Sequence, residues 1–504
     1  MSYIPADLLS KEAHKLYEEI YPIKGTIKTK DRIKIPVMEM PSQDPEIRSH
    51  NLDEVAIGYT TEEAIVEAMR CTQCPKQTCI SNCPVNINIP LFVKYVAEGE
   101  FQKAADVIKE SSMLPAICGR VCPQEVQCQK DCTVGKANKD VGKAVSIGRL
   151  ERFIADWERE NGSVKVPKVE AETGKRVAVV GSGPAGLVVA ADVRRKGHSV
   201  TVFEAFHKLG GVMRYGIPEF RLPNNIVDQE INVLKKMGVE FKTNYVVGRT
   251  RKLTDLIEKD GFDSVFLGTG AGLPIFLGIE GESLIGVFSA NEYLTRANLM
   301  GAFNKEYADT PIYPSRKVVV LGGGNVAMDS ARMALRLGAE KVYVVYRRTE
   351  VEMPARNEEI EHAKEEGIEF HFLQNAKRII GDDNGKVKAI ECLRYELGEP
   401  DESGRRRPVV IEGSEFIIEV DTVIVAIGNG SNPLISQTTP NLVTNKWGNI
   451  TVNEDQKTSM DKIFAGGDIV LGAATVILAM GEGRRAAFSI NNSLAKNITV
   501  VNNN

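Results

Sequence analysis

No run of about 18 consecutive apolar residues occurs in these 504 residues, so no membrane-spanning helix is expected. The opening MSYIPADLLSKEAHKLYEEIYPIKG is polar and acidic, without the apolar centre of a secretory signal, and the chain is read as cytoplasmic. Basic tracts are missing as well. The 63 Lys and Arg are interleaved with 67 Asp and Glu for a net charge of −4, which removes nucleic acid and anionic membrane from the expected partners. Histidine is scarce, at six, and none has a partner at ligand spacing, so none is assigned to catalysis. What remains is an ordinary globular composition, 43% apolar and 26% charged, with room for about three or four domains.

Cysteine is scarce too, at nine, but it is not scattered: eight fall between positions 71 and 132, as Cys71, Cys74, Cys79 and Cys83, then Cys118, Cys122, Cys128 and Cys132. In a reducing cytosol such clustering points to metal or redox chemistry rather than disulfides. Between the blocks, IPLFVKYVAEGEFQKAADVIKES has apolar residues at helical spacing, so a small helical domain is expected to carry both loops. One reading of eight thiolates is a pair of tetrahedral zinc sites. Another is the bacterial ferredoxin run, in which the Cys before Pro ligates a second cluster. Cys83-Pro84 and Cys122-Pro123 carry that feature, although four residues separate Cys74 from Cys79 where that run has two. Two 4Fe–4S clusters are the expected occupants. Cys392, alone in AIECLRYEL, is expected to be buried and structural.

Downstream, the apolar strand Arg176–Val180 runs into Gly181-Ser-Gly183-Pro184-Ala185-Gly186 and the helix LVVAADVRRKG, and the next strand ends at Glu204. A glycine turn between strand and helix lets the backbone approach a pyrophosphate at the positive helix end, and an acid at the following strand end accepts hydrogen bonds from an adenosine ribose. The arrangement recurs as Lys317–Leu321, Gly322-Gly-Gly324-Asn325-Val-Ala327, a helix and the strand KVYVVYRR. That strand ends in Arg347 and Arg348, where an acid would repel a 2′-phosphate and a guanidinium would pair with it, so the second site is read as NADP(H). Two charged stretches receive plain readings: NEEIEHAKEEGIEF at 357–370 as a solvated helix face and YELGEPDESGRRRPVV at 395–410 as a charged hairpin.

The strand TVIVAIGNG at 422–430, followed by KIFAGGD with Gly467 and Asp468, completes a pattern that resembles the two-dinucleotide-binding flavoprotein superfamily. The resemblance implies that Asp468 bonds the FAD ribitol and that the helix beginning at Ala474-Thr475 aims its N-terminus at the flavin ring. The segment from Gly210-Gly211 through Arg221 to Pro223, with the cysteine domain ahead of it, is similar to three proteins over about residues 45–492. These are the small subunit of bacterial glutamate synthase, the large subunit of NADH-dependent ferredoxin:NADP oxidoreductase (an electron-bifurcating transhydrogenase) and the N-terminal half of dihydropyrimidine dehydrogenase. Gly210, Gly211 and Arg221 would then line the FAD site. The implied fold is α/β: an N-terminal helical iron–sulfur domain followed by Rossmann-like flavoprotein domains, with the NADP domain inserted in the FAD domain. The expected boundaries are a docking arm at 1–45, the cluster domain at 46–170, FAD binding at 171–292 and 420–504, and NADP(H) binding at 293–419.

Within that resemblance, a Cys before Pro leaves its loop in an extended direction and reaches the second site. One cluster is assigned Cys71, Cys74, Cys79 and Cys132, the other Cys83, Cys122 and Cys128. The fourth ligand of the second is Cys118 or a residue beyond it. Thiolate is the commoner ligand, but the glutamine that serves in dihydropyrimidine dehydrogenase maps, through VSIGRLERF, to Glu151. No side chain is assigned as catalytic, because hydride transfer between NADPH and flavin needs no side-chain acid.

The expected activity is an NADPH-dependent oxidoreductase subunit that passes electrons through FAD and two clusters to a partner subunit carrying a flavin, with ferredoxin as a further partner. The approach NLDEVAIGYTTEEAIVEAMRCTQC favours the transhydrogenase assignment, with the glutamate synthase small subunit as the alternative. A thioredoxin-reductase-like activity is set aside because neither dinucleotide region has a redox cysteine pair, and an NADP sensor because two dinucleotide sites and eight cysteines exceed what sensing needs.

Overall fold

The computed structural model describes residues 3–304, 306, 308, 310–402 and 404–501. The N-terminal third is helical: α1 (Ala6–Ile20), α2 (Thr61–Met69), α3 (Ile89–Glu98), α4 (Phe101–Ser111), α5 (Pro115–Val121) and α6 (Ile147–Glu160). A capping box of Thr60 and Glu63 starts α2. Gly99 ends α3 in the left-handed conformation, φ 80°, and turns the chain back into α4. Phe92, Ile108, Leu114, Ile117, Leu150 and Ile154 are fully buried between these helices, consuming the apolar stripes seen in the sequence.

The first 45 residues differ from the docking arm that was expected. Ala13 and Ile20 of α1 are buried, and Ile20 and Ile35 join Ile65, Val66 and Met69 of α2 in one apolar cluster. The apolar face of α1 is thus spent on this chain's own helices.

Strands follow in chain order: β1 (Arg176–Val180), β2 (Ser199–Phe203), β3 (Glu240–Lys242), β4 (Ser264–Leu267), β5 (Val287–Ser289), β6 (Lys317–Leu321), β7 (Lys341–Tyr346) and β8 (Glu369–Phe372). Then come β9 (Gln374–Gly381), β10 (Val387–Pro400), β11 (Arg406–Val410), β12 (Phe416–Glu419), β13 (Thr422–Val425) and β14 (Ile463–Ala465). The helices among them that bear on the site are α7 (Pro184–Arg195), α8 (Asn224–Lys236), α9 (Asn325–Arg336), α10 (Asn357–Glu365) and α11 (Val476–Val501).

Two parallel sheets result, ordered β14-β4-β1-β2-β3 and β5-β13-β6-β7-β8. Their central strands are covered on both faces, which is why they read as unbroken Val-rich runs rather than alternating ones. The antiparallel strands β9 to β12 flank the second sheet, with β10 and β11 forming the charged hairpin read from the sequence. Cys392, in β10, is fully buried.

The boundaries between the units need correction. Val287–Ser289, expected in the first unit, and Thr422–Val425, expected after the return to it, both pair into the second sheet. The chain crosses between units at the short ladder of Leu273–Pro274 with Asn429–Gly430. A parallel strand is claimed by whichever sheet completes its hydrogen bonds, and residue type alone does not say which.

The acidic segment at 357–370 is also only partly solvated. Glu359 and Glu366 are buried, and Glu366 pairs with Arg48, Arg332 and Arg336. No described helix is long and apolar enough to cross a membrane.

Candidate functional site

At the end of β1 the chain turns through Gly181 at φ 102°, where a side chain would also meet the Gly268 carbonyl at 2.4 Å. Gly183 is the N-cap of α7 and Pro184 its first residue. A Cβ on Gly186 would stand 2.0 Å from the Gly181 carbonyl oxygen, so only glycine lets α7 start this close to the strand. Glu204 is buried at the end of β2. Its carboxylate accepts from the Ser182 backbone N–H at 3.0 Å, the Ser182 hydroxyl at 2.5 Å and the Phe206 N–H at 2.9 Å. The Gly210 N–H reaches the same hydroxyl at 3.0 Å, and Gly211 lies against Gly183. From the other side Gly467 packs on Ala185, which sets Asp468 beside the N-terminus of α7.

The first loop thus gathers Gly181, Gly183, Pro184, Ala185, Gly186, Glu204, Gly210, Gly211, Gly467 and Asp468 into one cradle of backbone N–H groups with two carboxylates. Its donor and acceptor set fits the pyrophosphate, ribose and ribitol of FAD. Arg221, expected at the FAD site, lies where the two dinucleotide units meet. Its Nη1 donates to both carboxylate oxygens of Asp329 of α9 at 2.7 Å and its Nε faces Glu359 of α10 at 3.2 Å, joining the two dinucleotide units. Its guanidinium finds these carboxylates from across the chain, a pairing its sequence neighbours do not announce.

Asp468 is half-buried, and the loss of water around it pushes its carboxyl up to about 7, with only the Ala474 N–H opposing the shift. A carboxyl raised in this way contributes stability that is complete below about pH 3.9, its unfolded value, and is lost as pH rises through about 7. FAD-free protein carrying Asp468→Asn is therefore expected to gain on wild type in urea midpoint from about pH 5 to about pH 8. Parallel pH profiles for the two proteins would contradict this.

The second loop repeats the geometry. Gly324 is the N-cap of α9, Asn325 its first residue, and Ala327 is buried beneath the turn. Asn325 Oδ1 accepts from the Arg356 N–H at 2.9 Å. The two arginines at the end of β7 part company, since successive residues of an extended strand face opposite sides. Arg348 is buried, donating to Asp401 at 2.7 Å and to the Arg406 carbonyl at 2.7 Å. Arg347 is exposed and has no hydrogen-bonded or ionic partner among the described residues.

The cysteines divide into two groups. Thr78 donates to the Asp131 carbonyl at 3.1 Å and Asn82 to its carboxylate at 3.0 Å, tying the turn that carries Cys79 to the segment that ends at Cys132. Burial pushes the Cys79 thiol up to about 12, with Cys71, Cys74 and Cys132 as its neighbours, and pushes Cys71 up to about 11 beside Cys132 and Cys74. This group is half-exposed. The second group lines a small closed cavity: Cys83, Cys122 and Cys128 with Glu151 of α6. Burial holds the Cys83 thiol up at about 11, with Glu151 and Cys122 nearby.

Glu151 is fully enclosed, which pushes its carboxyl up to about 8, with Glu230 of α8 adding to the rise, and its Oε1 has no partner among the described residues. An unpartnered buried carboxylate facing three thiols is the donor set of a metal centre rather than of a packed core. Cys118 is not in the lining of this cavity but lies directly beside it, hydrogen-bonded to Cys122 and near Glu151 and Cys83, and its Sγ also donates toward Met480 Sδ at 3.4 Å on α11. Among the described residues no three Cys, His, Asp or Glu side chains stand close enough to ligate a single ion.

Two further residues join these parts. Gln127 and Ile477 both line the second cavity, and Gln127 Nε2 donates to Thr475 Oγ1 at 3.3 Å, so the start of α11 touches the second cysteine loop. Sequence reasoning missed Gln127 and Gln124, because a glutamine between cysteines carries no periodicity and no motif.

Two family models match the chain. One is described as dihydropyrimidine dehydrogenase domain II, 4Fe-4S cluster, over residues 48–163, and the other as pyridine nucleotide-disulphide oxidoreductase, over residues 175–483. The glutamate synthase (NADPH) small chain of Escherichia coli (strain K12) is 37% identical over 92% of this chain and 98% of its own length. The beta subunit of the NADP(+)-dependent formate dehydrogenase of Moorella thermoacetica is 36% identical over 84% of this chain and 60% of its own length. Among solved structures, Mycobacterium tuberculosis FprA in complex with NADPH superposes with a TM-score of 0.54 at 20% identity, covering 64% of this chain and 86% of that one, a likeness of fold alone.

Proposed function

Because the chain belongs to the glutamate synthase small-subunit family, with its 4Fe–4S domain and pyridine-nucleotide oxidoreductase domain, we propose that it takes electrons from NADPH and delivers them to a partner subunit through two 4Fe–4S clusters. The observation that carries this reading is the placement of the second cysteine cavity. It lies against the start of α11, at the end expected to face the flavin, while the half-exposed first group opens to the surface.

FAD supplies the chemistry that turns a hydride into single electrons. The protein's part is to hold and orient. The N–H groups of the first loop would receive the pyrophosphate, Glu204 has acceptor capacity left on Oε1 for the ribose, and Asp468 would accept from the ribitol. Arg347 pairs with the 2′-phosphate of NADPH at the second loop, together with the N-terminus of α9. Cys83, Cys122, Cys128 and Glu151 hold the inner cluster, and Cys71, Cys74, Cys79 and Cys132 the outer one. Gln127 and Thr475 keep the inner cavity and the flavin end of α11 in register.

The partner is a further flavin-bearing subunit that docks where the outer group is exposed. Of the two assignments, the glutamate synthase small subunit is favoured, since relatives of that name match along nearly their whole length. The transhydrogenase assignment rests on residues 51–74 alone.

The test separates the two arginines. Arg347→Ala is expected to weaken NADPH by about tenfold or more, the loss of a charge-assisted pair worth roughly 1.5–3 kcal/mol, and to leave flavin reduction by NADH unchanged. Arg348→Ala removes the bonds to Asp401 and to the Arg406 carbonyl and loosens the β10–β11 hairpin, so it should lower stability and weaken both nucleotides alike. Equal losses for NADPH and NADH with Arg347→Ala would remove the 2′-phosphate assignment.

A further inference from the structure

Arg356 lies outside both cofactor fingerprints, yet it touches the nucleotide loop at one end and the inner cysteine loop at the other. Its backbone N–H donates to Asn325 Oδ1, at the first residue of α9. Its side chain, 8% exposed, crosses into the iron–sulfur domain. There Nη1 donates to the Arg120 carbonyl at 2.6 Å and Nη2 to Gln124 Oε1 at 3.4 Å, while Nη2 also pairs with Glu358 at 2.8 Å. A second bond runs the other way: Glu125 of the cysteine loop accepts from the Asn357 N–H at 3.1 Å, so its carboxylate caps the first turn of α10.

Arg120 and Gln124 flank Cys122, and Gln124 lines the inner cavity with Cys122, Cys128 and Glu151. Gln124 has no room to yield on its far side. A Cβ on Gly148 would stand 2.0 Å from Gln124 Nε2, which also donates to the Cys118 carbonyl at 3.5 Å. Glu151 lies one turn farther along the same helix. Contact is therefore unbroken from Asn325 through Arg356 and Gln124 to the helix that carries Glu151. The backbone of this residue fixes it to the nucleotide loop, while its side chain reaches the cysteine loop with a buried Nε that has no partner among the described residues, more than fastening two domains together requires.

We propose that Arg356 is a positioning residue that couples the two sites: NADP(H) seated at Asn325 changes the surroundings, and so the potential, of the inner cluster. By linkage, reduction of that cluster changes nucleotide affinity by the same factor. The coupling rests on reading the inner cavity as a cluster site.

The test uses the full chain as purified with its cofactors. Reductive titration followed by electron paramagnetic resonance, with and without NADP+, should show one cluster in the wild type shifting by about tenfold in its reduced-to-oxidised ratio, or 59 mV for a one-electron couple. Arg356→Ala should abolish the shift, and Arg356→Lys, which keeps a donor toward the Arg120 carbonyl, should restore part of it. Hydrogen exchange at residues 118–129 gives a readout that needs no cluster: NADP+ should change protection there in the wild type and not in Arg356→Ala. If the inner irons prove absent while exchange still responds through Arg356, the cluster reading fails and the coupling stands. If both clusters are present and neither potential nor exchange responds to NADP+, or Arg356→Ala responds fully, the coupling is overturned.

Discussion

Glu151→Ala is expected to alter the electron paramagnetic resonance signal of one cluster in the reduced protein and to weaken retention of one iron, while Cys118→Ser keeps about eight irons per chain. Eight is the sum for two 4Fe–4S clusters. The two substitutions discriminate because the structure places the side chains differently. Glu151 lines the cavity with Cys83, Cys122 and Cys128 and leaves Oε1 unpartnered among the described residues. Cys118 is equally buried and bonds to Cys122, but it lies outside the cavity lining and its Sγ also has a partner in Met480.

A buried carboxylate with no partner carries a desolvation cost of several kcal/mol, of order 1–3 or more by hydrogen-bond measures, and a metal ligand bond offsets it. Without iron, the same burial keeps the carboxyl protonated to about pH 8. As an oxygen donor harder than thiolate, a carboxylate also shifts the cluster potential relative to four sulfurs. Loss of four irons in Cys118→Ser together with an unchanged signal in Glu151→Ala would establish the all-thiolate set instead.

The second large effect separates two glycines of the first loop that look equivalent in the sequence. Gly186→Ala should lower the stability of the FAD-free protein and abolish FAD binding. Its Cβ would stand 2.0 Å from the Gly181 carbonyl oxygen and 3.2 Å from Val179, contacts that only backbone movement relieves. Overpacking of this kind costs about 1–3 kcal/mol or more. Gly183→Ala should leave the unfolding of the FAD-free protein unchanged yet weaken FAD, because a Cβ there meets no protein atom within 4 Å. The space above Gly183 is free in the protein and is the side a pyrophosphate approaches. Thermal unfolding with and without FAD, and the flavin content of each variant, read the two outcomes. A Gly183→Ala protein that binds FAD as tightly as wild type would show that the cofactor does not press on this residue.

Much of the site was legible in the sequence, and particular residues show why. The turns at Gly181–Gly186 and Gly322–Ala327 are decided by neighbours within a few positions, through backbone conformation and the start of a helix, so their order along the chain is already their order in space. Arg347 and Arg348 were not separable as a written pair, although strand alternation requires that one of them face away. Which one does depends on Asp401 and Arg406 arriving from the β10–β11 hairpin.

The residues whose partners sequence reasoning did not find share one property: those partners lie far away along the chain. Arg221 draws its carboxylate partners, Asp329 and Glu359, from the other dinucleotide unit. Glu366 looked solvated but is neutralised by Arg48, which precedes it by 318 positions. The first 45 residues looked free because their apolar face has no local partner. The sequence by itself determined the glycine turns, the helical carrier of the cysteines and the existence of two dinucleotide units, since each follows from local conformation or short periodicity. Only the tertiary structure decided which sheet claims Val287–Ser289 and Thr422–Val425, which arginine stays free, and that Arg356 bridges the nucleotide loop and the inner cysteine loop. Burial and ion pairing between distant segments depend on the path of the whole chain, and no window of neighbouring residues contains that path.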